Sequence, residues 1–184
     1  DAFATYCTKG KKSAHKEEKA FRLGGTPEEF GVVNATMGTM SVSKVKEVAK
    51  SYNCSLTEFL VSTLAYCIWK KNKKHSRPIK ISVPIDLRRF FETETLRNFS
   101  SYINVENPKK NGEYTLEEII EIVKAELKRI DRDYLTAFIN SNVSLQKNVF
   151  IKVVPLFLKN FFIKLCFKAW GEAYQTINVS NLGL

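Results

Sequence analysis

The sequence predicts an α/β protein of the two-layer α+β kind, in which helices pack against a mixed β-sheet. Three observations predict this fold class. Apolar residues recur at helical spacing after two capping boxes, β-branched residues alternate in short runs, and the segments follow the order β-α-α-β-β-α-α-β. Hydrophobic residues make up 44% of the 184 residues and charged residues 26%, a balance that suits one globular domain.

The first half of the chain is predicted to hold one strand and two helices. Residues 1–29 are polar and read as a linker or a surface-crossing segment, and residues 32–40 are typical of a strand. Ser41 is a plausible N-cap for a short helix. Ser55 and Glu58 form a capping box that opens a longer helix. The apolar face predicted for the short helix is Val42, Val45, Val48, Ala49 and Tyr52, and that of the longer helix is Leu56, Phe59, Leu60, Thr63, Leu64, Cys67 and Ile68.

Two strands and a third helix follow. Residues 79–83 alternate as a strand that Pro84 closes, and residues 99–105 look like its neighbour. Thr115 and Glu118 form a second capping box. The helix after this box is expected to turn inward Ile119, Ile120, Val123, Leu127 and Ile130.

The last forty residues are predicted to be helical from 145 to 173, with a break near Pro155, and to end in a strand over 176–179. The stretch 149–170 is strongly apolar, but a membrane-spanning helix needs about 20 largely uncharged residues. The lysines in this stretch do not gather on one helical face, which also disfavours a helix lying on a membrane. The sequence therefore predicts no membrane span, but a buried helix or one that covers an intersubunit surface. The interrupting residues are Lys152, Lys159, Lys164 and Lys168.

The charge and cysteine content point to broad classes only. The 29 Lys and Arg against 19 Asp and Glu leave a net charge of +10, which suits nucleic acid, an anionic membrane surface or a phosphate-bearing cofactor equally well. The four cysteines form no C-x-x-C pair, and buried free thiols are expected at Cys54 and Cys67. A reducing, cytoplasmic location is the resulting expectation. Because the first residue is Asp1, we expect an excised or truncated piece of a longer protein.

A complete catalytic set is not encoded. The two histidines, His15 and His75, have no carboxylate four residues later, and no metal-ligand spacing occurs, so no metal is expected. The sequence has no glycine-rich phosphate loop and no G-x-S-x-G elbow. Basic and aromatic residues are not interleaved, so a nucleic-acid partner is not expected either.

Two short segments carry chemistry. In Val83-Pro-Ile-Asp-Leu-Arg-Arg89, Asp86 stands two residues before Arg88 at the end of a strand. The alternative is a surface turn in which Asp86 caps its own backbone. In Val179-Ser-Asn-Leu-Gly183, the Ser180 hydroxyl at a strand tip could donate a hydrogen bond to an oxyanion. The alternative there is an ordinary strand-to-turn exit.

Together these segments resemble the CoA-dependent acyltransferase superfamily, and the closest likeness is to bacterial alcohol-acetyltransferase-like proteins. Residues 179–183 are similar to the T-I-S-N-L-G strand of the dihydrolipoamide acyltransferases. Residues 83–88, followed by 96–104, are similar to a segment of condensation domains and alcohol acetyltransferases. The likeness covers about residues 20–184, with 30–184 as the acyltransferase-like C-terminal subdomain, truncated at its C-terminus. The family's H-H-x-x-x-D-G motif, which supplies the general base, is absent.

The resemblance implies roles for individual residues. Ser180 matches the oxyanion-stabilising hydroxyl, and Arg88 matches the arginine that pairs with the aspartate of the absent motif. Asp86, Asn98 and Asn181 match positions that shape the substrate channel. The donor would be an acyl-CoA or a carrier-protein thioester, and the acceptor an alcohol or an amine.

The resemblance also implies partners. The missing N-terminal half of the same protein would complete the site, so this chain alone is expected to be inactive. The competing hypothesis is a non-catalytic interaction module of the same fold, which would bind a partner or self-associate through an exposed apolar patch.

Overall fold

The computed structural model describes residues 2–7, 18–26, 28–73, 75–107, 113–147, 153–171 and 173–180. The predicted mixed sheet with helices against it is confirmed as a mixed α/β arrangement. Its three strands are β1 (Ile79–Asp86), β2 (Ser100–Asn107) and β3 (Ile177–Asn178), in the order β2-β1-β3. The helices are α1 (Ala2–Tyr6), α2 (Val42–Ser51), α3 (Leu56–Lys71), α4 (Leu116–Lys128), α5 (Arg132–Lys147) and α6 (Leu156–Trp170).

The two long strands pair antiparallel over their whole length, from Ile79 opposite Asn107 to Asp86 opposite Ser100. The short β3 pairs with the other edge of β1 in parallel. Directly paired residues point to the same side of a sheet, so each face can be read from the register. The odd-numbered residues of β1 and β2 form one face, and the even-numbered residues form what we call the second face.

The odd face carries the main hydrophobic core. Apolar side chains of β1 and β2 alternate inward and pack against α3 and α4, which cover this face as one helical layer. Both predicted capping boxes are present and start these two helices, from Ser55 with Glu58 and from Thr115 with Glu118. The buried residues of this core are Val61, Ala65, Ile68, Trp69, Ile79, Ile81, Val83, Ile103, Val105, Tyr114, Ile119 and Val123.

A second core lies beyond the C-terminal end of β1, where α5 and the short α1 pack against the loop between β1 and β2. The Asp131 carboxylate begins α5 by accepting a hydrogen bond from the Tyr134 amide at 2.7 Å. The sequence analysis missed most of this helix, although Leu135, Ile139 and Val143 recur at helical spacing and form its buried face. The second core buries Leu87, Phe91, Phe99, Leu135, Ile139 and Val143.

Two strand predictions are wrong. Residues 32–40 form no strand and are exposed along their length, because no neighbouring strand pairs with them in the described part of the chain. β-branched residues favour extended backbone, but only a ladder partner makes a stable strand. The other error is at Pro84, which does not close β1, since the strand continues to Asp86.

The apolar helix α6 is not buried against the described residues, so the buried alternative is wrong. We found no described helix with the length and apolar character that crossing a membrane requires. An intersubunit role for α6 stays a prediction. Its exposed apolar side chains are Leu156, Phe157, Leu158, Phe161, Phe162, Ile163, Leu165 and Phe167.

Candidate functional site

The C-terminal end of β1 is closed by a hydrogen-bonded turn. One Asp86 carboxylate oxygen accepts from the Arg88 backbone N–H at 3.1 Å and from Arg88 Nη1 at 3.2 Å. Asp86 thereby caps the single 3₁₀ turn Leu87–Arg89, as the alternative interpretation of this segment predicted. These two hydrogen bonds fix the Asp86 side chain in its capping role. The role in a substrate channel that the resemblance implies for Asp86 stays a prediction.

The Arg88 guanidinium is held from three sides. Besides the ion pair with Asp86, its Nη2 donates to the Arg97 carbonyl at 2.7 Å and its Nε to the Thr95 carbonyl at 3.4 Å. A guanidinium has five N–H donors. Two of them therefore have no partner among the described residues, and the side chain is 39% exposed. Such an oriented pair of free donors suits a carboxylate from a neighbouring segment.

The turn that carries Arg88 rests on the second core. Leu87 is fully buried, and its N–H donates to the Phe99 carbonyl at 3.0 Å. The Phe99 ring lies edge-on to Phe3 of α1 at a centroid distance of 4.8 Å. Apolar packing below the turn therefore sets the position of the charged groups above it.

Asn98 lies directly before the buried Phe99 and is exposed. Its side-chain oxygen accepts a hydrogen bond from the Ser100 hydroxyl at 2.7 Å, at the start of β2. This contact organises the entry to the strand, and the channel role implied by the resemblance stays a prediction.

Ser180 is exposed just past β3, at the level of Pro84 in the parallel register. Thr176 and Val179 donate to the carbonyls of Lys80 and Ser82, so the even-numbered residues of β1 turn their backbone groups toward β3. Pro84 is the next residue in this series and has no N–H to donate. Pro84 therefore gives the ladder no further N–H donor, and within the described residues Ser180 lies exposed just beyond the last paired residue, Val179. Asn181 lies outside the described residues.

The parallel register brings the two predicted segments to one end of the sheet. Asn178 pairs with Ser82, so Ser180, two residues later, lies on the second face by the alternation of extended backbone. Asp86 also lies on the second face, at the end of β1. Because β1 and β3 run in the same direction, Asp86, Arg88 and Ser180 all lie at the same end of the sheet, where the two strands finish.

Among the described residues, no histidine lies at this end of the sheet. His75 precedes β1, where its ring packs against Phe21 and its Nδ1 donates to the Arg77 carbonyl at 2.6 Å. The eight residues of β1 extend about 26 Å at about 3.3 Å per residue, which separates His75 from Arg88. In the same described ranges, no group of three or more His, Cys, Asp or Glu residues could hold a metal ion.

An open cavity of about 510 Å³ lies on the second face. Ser82 and Asn104, which are paired across β1 and β2, form part of its floor, and aromatic residues from α5 and from residues 171–175 form its walls. Sequence reasoning missed this cavity. The available signal was the alternation of polar residues on β1 and β2, which marks a face that is not packed as core.

A second cavity of about 450 Å³ lies between α3 and α4. It is lined by Glu58, Glu121, Lys124 and Lys128 together with apolar stems, and Lys124 is paired with Glu121 at 2.8 Å. This hydrogen bond raises the pKa of Lys124 and so keeps the charges compensated. The described side chains that line this second cavity include no hydroxyl, thiol or imidazole group.

The cysteine predictions divide. Cys54 is buried, and its thiol donates to the Ala49 carbonyl at 3.3 Å, as expected. Cys67 is exposed, so its predicted burial is wrong. Of the predicted stripe, Ile68 is buried as expected, but the inward face of α3 is shifted by about one residue and also buries Val61, Ala65 and Trp69, which were not predicted.

We expect iodoacetamide to modify Cys67 at least about tenfold faster than Cys54 at pH 8, because thiolate fraction and access set the rate. Burial, and secondarily the Glu58 carboxylate, raises the pKa of the Cys54 thiol, so less thiolate forms at a given pH. The modification rate at Cys54 should therefore still be rising at a pH above the ordinary pKa range of a cysteine thiol. Peptide mass spectrometry over a pH series measures both, and equal rates would contradict the assigned burial.

Comparisons of this chain with protein-family models, with curated proteins and with solved structures found no match.

Proposed function

We propose that this chain supplies part of a CoA-dependent acyl-transfer site, with Ser180 as the oxyanion donor and Arg88 as the anchor for a histidine-bearing segment. The observation that supports the proposal is the parallel pairing of β1 and β3, which brings these residues to the same end of the sheet. The general base is a histidine from outside the described residues, because His75 lies at the opposite end of β1.

The reaction would proceed by direct transfer. A histidine takes the proton from the acceptor hydroxyl or amine, whose oxygen or nitrogen attacks the thioester carbonyl of the acyl donor. The Ser180 hydroxyl donates to the oxyanion that forms on the carbonyl oxygen. The carbon–sulfur bond then breaks, and the leaving thiolate takes a proton from the imidazolium. The free donors of Arg88 hold a carboxylate next to the base and so keep its loop in place.

The test uses the full-length gene product that contains this sequence, with acetyl-CoA and an alcohol panel, and follows release of the CoA thiol. Ser180→Ala should lower kcat about 100-fold, the loss typical of one oxyanion donor. Arg88→Lys should also lower the rate, because an ammonium cannot reproduce the planar fork. Ser43→Ala and Arg89→Lys are the matched controls, since both residues are exposed and lie outside the proposed site.

Transfer that is unchanged by Ser180→Ala would contradict the proposal. The 184-residue chain alone is expected to be inactive, so robust transfer by it would also count against the need for an outside base.

The second candidate is a non-catalytic interaction module, and the exposed α6 favours it. Contiguous apolar surface of this kind marks interaction sites. If the chain self-associates through α6, sedimentation velocity should show a concentration-dependent mass that Leu165→Glu abolishes. Asn160→Glu places the same charge at a polar position of α6 and is the control. A monomer at all concentrations would exclude self-association as the function of this helix.

A further inference from the structure

The second-face cavity has a consistent chemical character. Its lining combines aromatic rings with neutral hydrogen-bonding groups and includes no Asp, Glu, Lys or Arg among the described residues. Its volume, about 510 Å³, falls in the range of small-molecule sites. The aromatic members are Tyr102, Tyr134, Phe138 and Tyr174, and the neutral polar members include Ser82, Asn104 and Gln175.

The rings define the kind of ligand body that fits. Tyr102 reaches the cavity from β2, Tyr134 and Phe138 from α5, and Tyr174 from the residues before β3. Rings on several sides favour a flat apolar body, which they can contact by stacking or edge-on. A flexible saturated chain would lose more conformational entropy and gain no ring contacts.

The missing charges define the ligand's polar group. An alkylamine is an ammonium at neutral pH, and burying it without a carboxylate partner is costly. An uncharged alcohol carries no such cost in a lining of neutral groups. Ser82 is 2% exposed and forms part of this neutral lining. The cavity therefore favours an uncharged ligand, whose hydroxyl remains available to point toward Ser180.

The cavity lies within reach of Ser180. Ser82 on the cavity floor pairs with Asn178, and Ser180 follows two residues later on the same face, about 7 Å along the strand. A ligand whose one or two fused rings fill the cavity can therefore place its hydroxyl next to Ser180. We propose that the cavity binds the acceptor of the acyl transfer and that this acceptor is an uncharged aromatic alcohol. The role of this ligand as the acceptor rests on the proposed function, whereas the binding of an uncharged aromatic alcohol in the cavity does not.

Two nearly isosteric probes test the charge preference, 2-naphthalenemethanol and 2-naphthylmethylammonium. The 184-residue chain should bind the alcohol saturably and at least about tenfold more tightly than the ammonium, as measured by calorimetry. Because the net charge of +10 repels any cation, the comparison is repeated in 0.5 M NaCl, which screens distant charges. A preference that disappears in salt, or equal affinities throughout, would overturn the proposal.

Two variants test the location. Phe138 belongs to neither buried core, so Phe138→Ala should fold and weaken the alcohol at least about tenfold, whereas Phe161→Ala on the exposed α6 should not. Should Phe138→Ala lose its circular dichroism spectrum, Tyr102→Ala at the 66%-exposed mouth takes its place. Amide resonances of Gly171 and Gln175 should shift as the alcohol is added. Unchanged affinity in the cavity variant, or shifts confined to other residues, would overturn the proposal.

The same variants separate this inference from the proposed function. In the full-length gene product, Phe138→Ala should raise KM for the aromatic alcohol about tenfold and leave kcat near its wild-type value, because it removes binding alone. Acyl transfer that Phe138→Ala does not affect would overturn the inference and leave the proposed function in place. Binding that Phe138→Ala weakens, in a protein without transfer activity, would support the cavity as a site and count against the proposed function.

Discussion

Phe99→Ala is expected to lower the free energy of unfolding by about 4 kcal/mol, the usual cost of removing a fully buried phenylalanine ring. The ring lies at the centre of the second core, with centroids 4.8 Å from Phe3, 6.1 Å from Tyr6 and 6.2 Å from Phe91. Truncation would leave a cavity that two elements and a loop border, and none of them can collapse into it without breaking other contacts. Urea denaturation followed by circular dichroism measures the loss.

The control for this change is Phe30→Ala, the same truncation at a fully exposed ring. It should alter the free energy of unfolding by no more than about 0.5 kcal/mol. A loss below about 1.5 kcal/mol for Phe99→Ala would contradict the assigned packing. Because the Phe99 ring packs with Leu87 in the core that carries the Arg88 turn, the same variant should also impair the proposed acyl transfer in the full-length gene product before it unfolds.

Glu106→Gln is expected to cost about 3 kcal/mol of unfolding free energy, because it removes the partner of a buried lysine. Lys80 lies on the second face with a side chain that is 1% exposed, and its Nζ is 3.0 Å from a Glu106 carboxylate oxygen. The two residues are direct partners across β1 and β2. Since Glu106 itself is 33% exposed, we take the low end of the range measured for broken buried pairs.

The exposed pair of Lys73 and Glu113, at 2.8 Å, provides the matched control. Glu113→Gln should leave the denaturation midpoint unchanged, because water and salt already screen this contact. A double variant, Lys80→Met with Glu106→Gln, should recover most of the lost stability, since it removes the uncompensated charge as well. If Glu106→Gln and Glu113→Gln lowered the free energy of unfolding by equally small amounts, the predicted cost of leaving buried Lys80 without a partner would be contradicted.

The local sequence determined the starts of α3 and α4, because a capping box joins residues three apart and needs no distant partner. It also determined the cap at Asp86, where a carboxylate bonds to an N–H two residues later. The alternation of Ile79, Ile81 and Val83 was sufficient to predict a strand and its core face.

Tertiary structure decided what local pattern cannot encode. Residues 32–40 have the composition of a strand but no partner strand, whereas residues 177 and 178 form one because β1 offers an edge up to Pro84. The apolar α6 is exposed because nothing among the described residues covers it, although its composition predicted burial. The second-face cavity depends on residues up to 93 positions apart, from Ser82 to Gln175, that only the sheet register and α5 bring together. Hydrogen bonds within a turn are local, but pairing and burial depend on which distant surfaces meet, and that is the physical reason for the division.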